Sequence, residues 1–151
     1  MKKFQFKLNK LLDYKSGLLE NETLTLATLN AELKTVNGRI DEMTAASRAC
    51  REELQAAQLR GGVTPATCRM YFRYEDFLKA EIAKGKRLAA QIERRIEKQI
   101  DLIKELRLET KSIELLREAR LGAYRKEELK ESERQVEEFV NTARLMHAHF
   151  T

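Results

Sequence analysis

The sequence predicts an all-α fold, a long two-helix antiparallel coiled-coil hairpin with an overhanging C-terminal helix. Three observations lead there. Charged residues make up 35% of the chain and aromatic residues 7%, with a mean hydropathy of -0.56, so there is little material for a compact globular core. Apolar residues recur at alternating steps of four and three through both halves, which is the rhythm of a coiled-coil seam. The strong helix-breaking residues gather in one stretch, "LRGGVTPATCRMY" at 59–71, which holds the single Pro and the adjacent pair Gly61 and Gly62. Disorder is the competing reading, but 42% hydrophobic content with one Pro is too apolar and too helix-friendly for it.

The elements follow in order, as one coiled-coil domain spanning residues 1–151. The first helix is expected at about 4–59. Its seam reads Phe4, Leu8, Leu11, Lys15, Leu18, Glu22, Thr25, Leu29, Leu33, Val36, Ile40, Met43, Ser47, Cys50, Leu54 and Ala57. A turn at about 60–64 comes next, because Gly61 and Gly62 supply the positive φ that a helix C-cap wants. Thr64 and Pro65 then read as the N-cap and first residue of the second helix, expected at about 65–147. Its seam reads Ile82, Gly85, Ala89, Ile92, Ile96, Gln99, Ile103, Leu106, Thr110 and Ile113, and resumes more loosely at Leu129, Val136, Val140 and Ala143. A domain linker is excluded by the shortness of the break.

The two arms are unequal, so at 1.5 Å per residue an overhang of roughly 45 Å is expected from near Arg120 onward. It carries a stripe of Leu129, Val136, Phe139, Val140 and Ala143 with no counterpart in the first arm, the pattern of a docking surface or of self-association. Lys15, Glu22, Gly85, Gln99 and Thr110 stand where a tight zipper wants Leu or Ile, which lowers stability and sets register. Pairs such as Glu81 with Lys84, Asp101 with Lys104, Glu114 with Arg117 and Glu131 with Arg134 stand three residues apart and read mainly as solvated faces.

Catalytic, cofactor and metal chemistry find no support. His147 and His149 lie two residues apart in a terminal stretch expected to fray, where paired metal ligands on a helix need a spacing of four. Gly61 and Gly62 lack the Lys-Ser/Thr of a phosphate-binding loop. Cys50 and Cys68 read as reduced thiols, offset by roughly 9 Å along the hairpin if the bend lies near Gly62, which disfavours a disulfide. The net charge of +5 raises nucleic acid as a partner, but Lys84, Lys86, Arg87, Arg94, Arg95 and Lys98 are broken in sequence by Glu93 and Glu97 and lack interleaved aromatics. No run approaches the ~18 apolar residues of a membrane span, the start lacks the apolar stretch of a secretory signal, and no segment combines a wide apolar face with a uniformly basic one. A cytoplasmic, non-enzymatic protein with no nucleic-acid partner and no integral membrane segment is expected.

Three segments, "FQFKLNKLL" at 4–12, "GGVTPATCRMYFRYEDFL" at 61–78 and "IELLREARLGAYRKEELKESERQVEEF" at 113–139, resemble the FliJ family of flagellar export proteins. The shared features are an aromatic start, a Tyr-x-x-Phe just after the bend and a Lys/Glu-rich final helix, and the similarity spans the whole chain. The resemblance implies a non-catalytic stalk and coupling component of the bacterial flagellar type III export apparatus, in the cytoplasm and peripherally associated with the inner membrane. Such proteins resemble the coiled-coil stalk of the rotary ATP synthase gamma subunit. They insert into the hexameric export ATPase (FliI-like), promote its assembly and activity, link it to the export gate protein (FlhA-like) and assist export chaperones in flagellum biogenesis and motility. Carried over, Phe4, Leu8, Leu11, Leu116, Arg120, Tyr124 and Arg125 would face the ATPase, and Tyr74 and Phe77 the gate. For the tip aromatics Tyr71, Phe72, Tyr74 and Phe77, the alternative is that some cap the coiled coil. A monomeric hairpin in isolation is expected. The alternatives are the YscO-type counterpart of a virulence secretion system and a generic homo-oligomeric coiled-coil scaffold.

Overall fold

The computed structural model describes residues 2–150. Two α-helices, α1 (Asn9–Leu59) and α2 (Pro65–Phe150), pack against each other as a helical hairpin, with no strand among the described residues.

The bend is built from local chemistry. Gly61 adopts a φ of 73°, and its N–H donates to Gln58 O at 3.1 Å, so the left-handed residue closes the last turn of α1. Among the described residues Gly61 alone takes a positive φ, so Gly62 is not needed for that purpose. Thr64 caps α2: Thr67 N–H donates to Thr64 Oγ1 at 3.2 Å and Cys68 N–H to Thr64 O at 3.1 Å. Pro65 then stands at the first helical position, where its missing N–H costs nothing.

The start of α1 departs from the expected residue 4. Residues 2–6 are not helical. Asn9 N–H donates to Phe6 O at 3.2 Å and Leu12 N–H to Leu8 O at 2.8 Å, so the first intrahelical bond starts at Leu8. The physical reason is tertiary, since the rings of Phe4 and Phe6 are engaged by side chains of α2 (below). At the other end α2 continues to Phe150, so His147 and His149 lie in its last turn rather than in a frayed tail.

The chain divides into two compact units. One is Glu20–Lys104, which contains the bend. Its core is Leu29, Ser47, Cys50 and Leu54 from α1 with Leu78, Ala89, Ile92 and Ile103 from α2. Gly85 stands where a side chain would not fit: a Cβ there would meet Ile40 Cγ1 at 2.9 Å. The polar seam positions are reconciled by hydrogen bonding, because Gln99 Nε2 donates to Glu22 O at 2.8 Å and also to the Glu22 carboxylate. Arg51 pairs with Glu75 at 3.1 Å across the seam. Cys50 Sγ faces Tyr71 O at 3.7 Å, and both cysteines are free. Burial first, then the carboxylates of Glu75 and Glu53, push the Cys50 thiol up from its ordinary range.

The other unit is Met1–Leu19 with Glu105–Thr151. Phe6, Leu106 and Thr110 are its buried residues among those described. Lys15 bonds Glu109 at 2.6 Å, which satisfies the seam lysine, whereas Thr110 Oγ1 is buried without a hydrogen-bond partner.

Candidate functional site

Two surfaces carry the residues singled out from sequence. The first lies in the unit that holds the termini. There the N-terminal strap, residues 2–6, lies along α2. Tyr124 Oη donates to Lys2 O at 2.6 Å, and the Tyr124 ring meets Phe4 at 5.4 Å between centroids with a tilt of 51°. Arg120 places its guanidinium 5.7 Å from the centre of the Phe6 ring. Phe6 is 5% exposed. Each contact is modest: about 0.5–1.5 kcal/mol for an aromatic pair, about 0.5–1 kcal/mol for an exposed cation–π contact and about 1.5–3 kcal/mol for burying a Phe. Together they hold a strap that has no helix of its own.

The named residues therefore separate by role. Phe4, Arg120 and Tyr124 are brought together in one clasp, with Leu8 half-buried beside it in sequence. Leu11 and Leu116 are exposed at 40% and 39%, while Arg125 is exposed. Phe6 was not singled out, although it is the buried anchor of the clasp. The signal was in the sequence: Phe4 and Phe6 alternate at a period of two, which suits an extended segment with both rings engaged and not a helical seam.

Beyond Tyr124 the described side chains of α2 are exposed except for the half-buried Glu131. The strap thus covers α2 to Tyr124, one turn beyond the expected start of the overhang near Arg120. An extended strap rises about 3.3 Å per residue against 1.5 Å for a helix, so it reaches further along its partner. Leu129, Val136, Phe139 and Val140 stand 63%, 61%, 74% and 39% exposed on the remaining stretch.

The second surface lies near the bend. Met70, Phe72, Tyr74 and Phe77 are 71%, 53%, 49% and 59% exposed. Tyr71 is instead half-buried on the seam beside Cys50, and its hydroxyl is shifted up first by burial and then by Glu53. One of the four tip aromatics therefore packs into the coiled coil while three point to solvent.

Among the described residues no group of His, Cys, Asp and Glu is arranged to hold a metal ion, and no helix is long and apolar enough to cross a membrane. No curated protein and no solved structure matches the chain. Residues 4–146 match the family model described as flagellar FliJ protein. This span takes in the clasp, both seams, the bend and nearly all of the exposed α2 stretch, and on it the chain belongs to the FliJ family, a non-catalytic component of the flagellar export apparatus.

Proposed function

We propose that the chain acts as a stalk and coupling factor for the flagellar export ATPase, with its terminal end in the ATPase ring. The observation that carries this reading is the clasp: the strap is tied to α2 at Phe4, Phe6, Arg120 and Tyr124, which leaves Arg125 and the exposed leucines 11 and 116 presented on a strapped segment from which α2 continues to Phe150. A slender helical segment of that kind suits insertion into a narrow opening, and its arginines suit an acidic or carbonyl-rich wall. In this reading the protein promotes assembly and activity of the hexameric ATPase and supplies no catalytic group of its own.

The exposed aromatics Tyr74 and Phe77 near the bend then serve the export gate protein, since exposed Tyr and Phe are typical binding anchors. Export chaperones are further partners, for which the exposed α2 stripe is the available surface. In this reading the protein works in the cytoplasm, peripherally associated with the inner membrane at the export apparatus. The test is co-purification with the export ATPase and with the gate protein. Arg125→Glu should weaken recovery of the ATPase alone, and Phe77→Ala recovery of the gate alone. Loss of both partners from either variant, with helicity intact, would contradict the division of labour.

The exposed stripe of Leu129, Val136, Phe139 and Val140 also suits a homo-oligomeric scaffold. Sedimentation at micromolar concentration separates the readings: a stalk that enters a ring is a monomer in isolation, and a stable dimer would favour the scaffold.

A further inference from the structure

Between Phe77 and Ile100, α2 carries seven exposed cations, Lys79, Lys84, Lys86, Arg87, Arg94, Arg95 and Lys98. At about 100° per residue five of them, Lys84, Arg87, Arg94, Arg95 and Lys98, share a sector about 100° wide and extend over about 21 Å of helix, while Lys79 and Lys86 project away from it. Glu93 and Glu97 interrupt this cluster in the sequence but not on the surface, because they project about 150° and about 110° from the centre of the sector. The helix thus sorts an interleaved sequence into a row of one sign. Lys84 is bonded to Glu81 at 3.3 Å; Arg87, Arg94, Arg95 and Lys98 make no ion pair with any described residue. Phe77 and Leu88, 59% and 47% exposed, stand along one edge of the row.

We infer that this row is a docking surface for an anionic phospholipid bilayer. Lys84 and Leu88, at one end of the row, also line a groove against α1 with Thr35, Val36 and Ile40, whereas Arg87, Arg94, Arg95 and Lys98 stand exposed on α2. A bilayer needs no groove, since clustered Lys and Arg are attracted to anionic headgroups as point charges. Half-exposed apolar side chains beside the cations enter the headgroup boundary, as on interfacial helices. Nucleic acid is less suited, because no aromatic residue stands among the cations from Lys84 to Lys98 to stack on bases. The row lies wholly within the Glu20–Lys104 unit and does not rest on the reading of the terminal end as an ATPase contact.

The test is flotation of the full chain with vesicles containing phosphatidylglycerol, compared with pure phosphatidylcholine vesicles. Binding is expected to the first and not the second, and to fall steeply between low and high salt as the attraction is screened. Arg87→Glu with Arg94→Glu should reduce partitioning by about tenfold or more. Arg87→Lys with Arg94→Lys should retain it, because a bilayer reads charge, whereas a protein partner that engages guanidinium groups in pairs of hydrogen bonds would lose affinity. Lys34→Glu with Arg48→Glu, exposed on α1, makes the same change in net charge away from the row and should leave binding near wild type. Equal loss in that control, equal binding to both vesicles, or no binding to either would overturn the inference. Circular dichroism of each variant confirms that the helices are intact.

Discussion

Tyr124 and Lys2 are joined by a 2.6 Å hydrogen bond across a sequence separation of 122 residues, and this bond fastens the non-helical strap to α2. Tyr124→Phe removes the bond and keeps the ring against Phe4, so it should cost no more than about 1 kcal/mol. Tyr124→Ala removes both and should free the strap. Limited proteolysis is the measurement: cleavage after Lys3 and Lys7 should be much faster in the Ala variant and modestly faster in the Phe variant, with the bend-containing unit unchanged. Equal protection in all three proteins would mean that the clasp does not hold the strap.

Gly85 and Gly122 should respond in opposite ways to the same substitution. Both are interior to α2, where Gly→Ala is intrinsically favourable by about 1 kcal/mol. At Gly122 nothing lies within 4 Å of the added methyl, so Gly122→Ala should raise the melting temperature. At Gly85 the methyl would meet Ile40 Cγ1 at 2.9 Å, and overpacking of about 1–3 kcal/mol should offset or exceed the gain. Thermal unfolding of the two variants checks the contrast, and equal stabilisation would show that the helices can separate at Gly85 without cost.

Thr110 buries a hydroxyl with no hydrogen-bond partner, so its isosteric replacement should stabilise. Thr110→Val removes an unmet acceptor and donor while keeping the shape, a gain of about 1 kcal/mol. Urea unfolding checks it. A destabilised variant would reveal a partner for that hydroxyl.

How much of this was legible beforehand depends on the element. Every α2 seam position from Ile82 to Ile113 is buried or half-buried, and so is every α1 seam position from Leu29 to Ala57, because those segments keep to the four-and-three rhythm. Nearer the N-terminus the rhythm slips. Leu26 and Leu12 turn inward where Thr25 and Leu11 were expected, and Thr25 sends its hydroxyl back to Asn21 O at 3.1 Å. A straight helix of 3.6 residues per turn drifts from a strict 3.5 repeat, and Leu26 beside Thr25 lets the seam follow the drift. The strap was legible only in part: the alternation of Phe4 and Phe6 marks an extended segment, but the partners that hold it, Tyr124 and Arg120, lie more than a hundred residues away. The basic row was hidden for a different reason: sequence order interleaves Glu93 and Glu97 with cations that the helix separates from them.

Cys50 and Cys68 should differ sharply as nucleophiles. Cys50 is 5% exposed with its thiol shifted up by burial and by Glu75 and Glu53, whereas Cys68 is half-buried near the start of α2. Alkylation at pH 8 should label Cys68 and leave Cys50 unreacted in the folded protein. The raised thiol also sets a pH dependence. The folded state retains the Cys50 proton more tightly than the unfolded state, whose thiol titrates near about 8.5. That contribution is therefore complete below this pH and is lost as the pH rises above it. Cys50→Ser, which does not ionise in this range, should flatten the loss.

Arg120 and Arg125 carry the central claim, that the clasped terminal end engages the export ATPase. The direct measurement is ATP hydrolysis by the purified export ATPase with increasing amounts of this protein, at low and high salt. Wild type should stimulate hydrolysis. Arg120→Glu with Arg125→Glu should abolish the stimulation, with the larger difference at low salt. Arg125→Glu alone, which leaves the Arg120 contact with Phe6 intact, should weaken it. If the doubly reversed protein, folded and helical, stimulates the ATPase as well as wild type does, the terminal end is not the ATPase contact and the stalk reading fails.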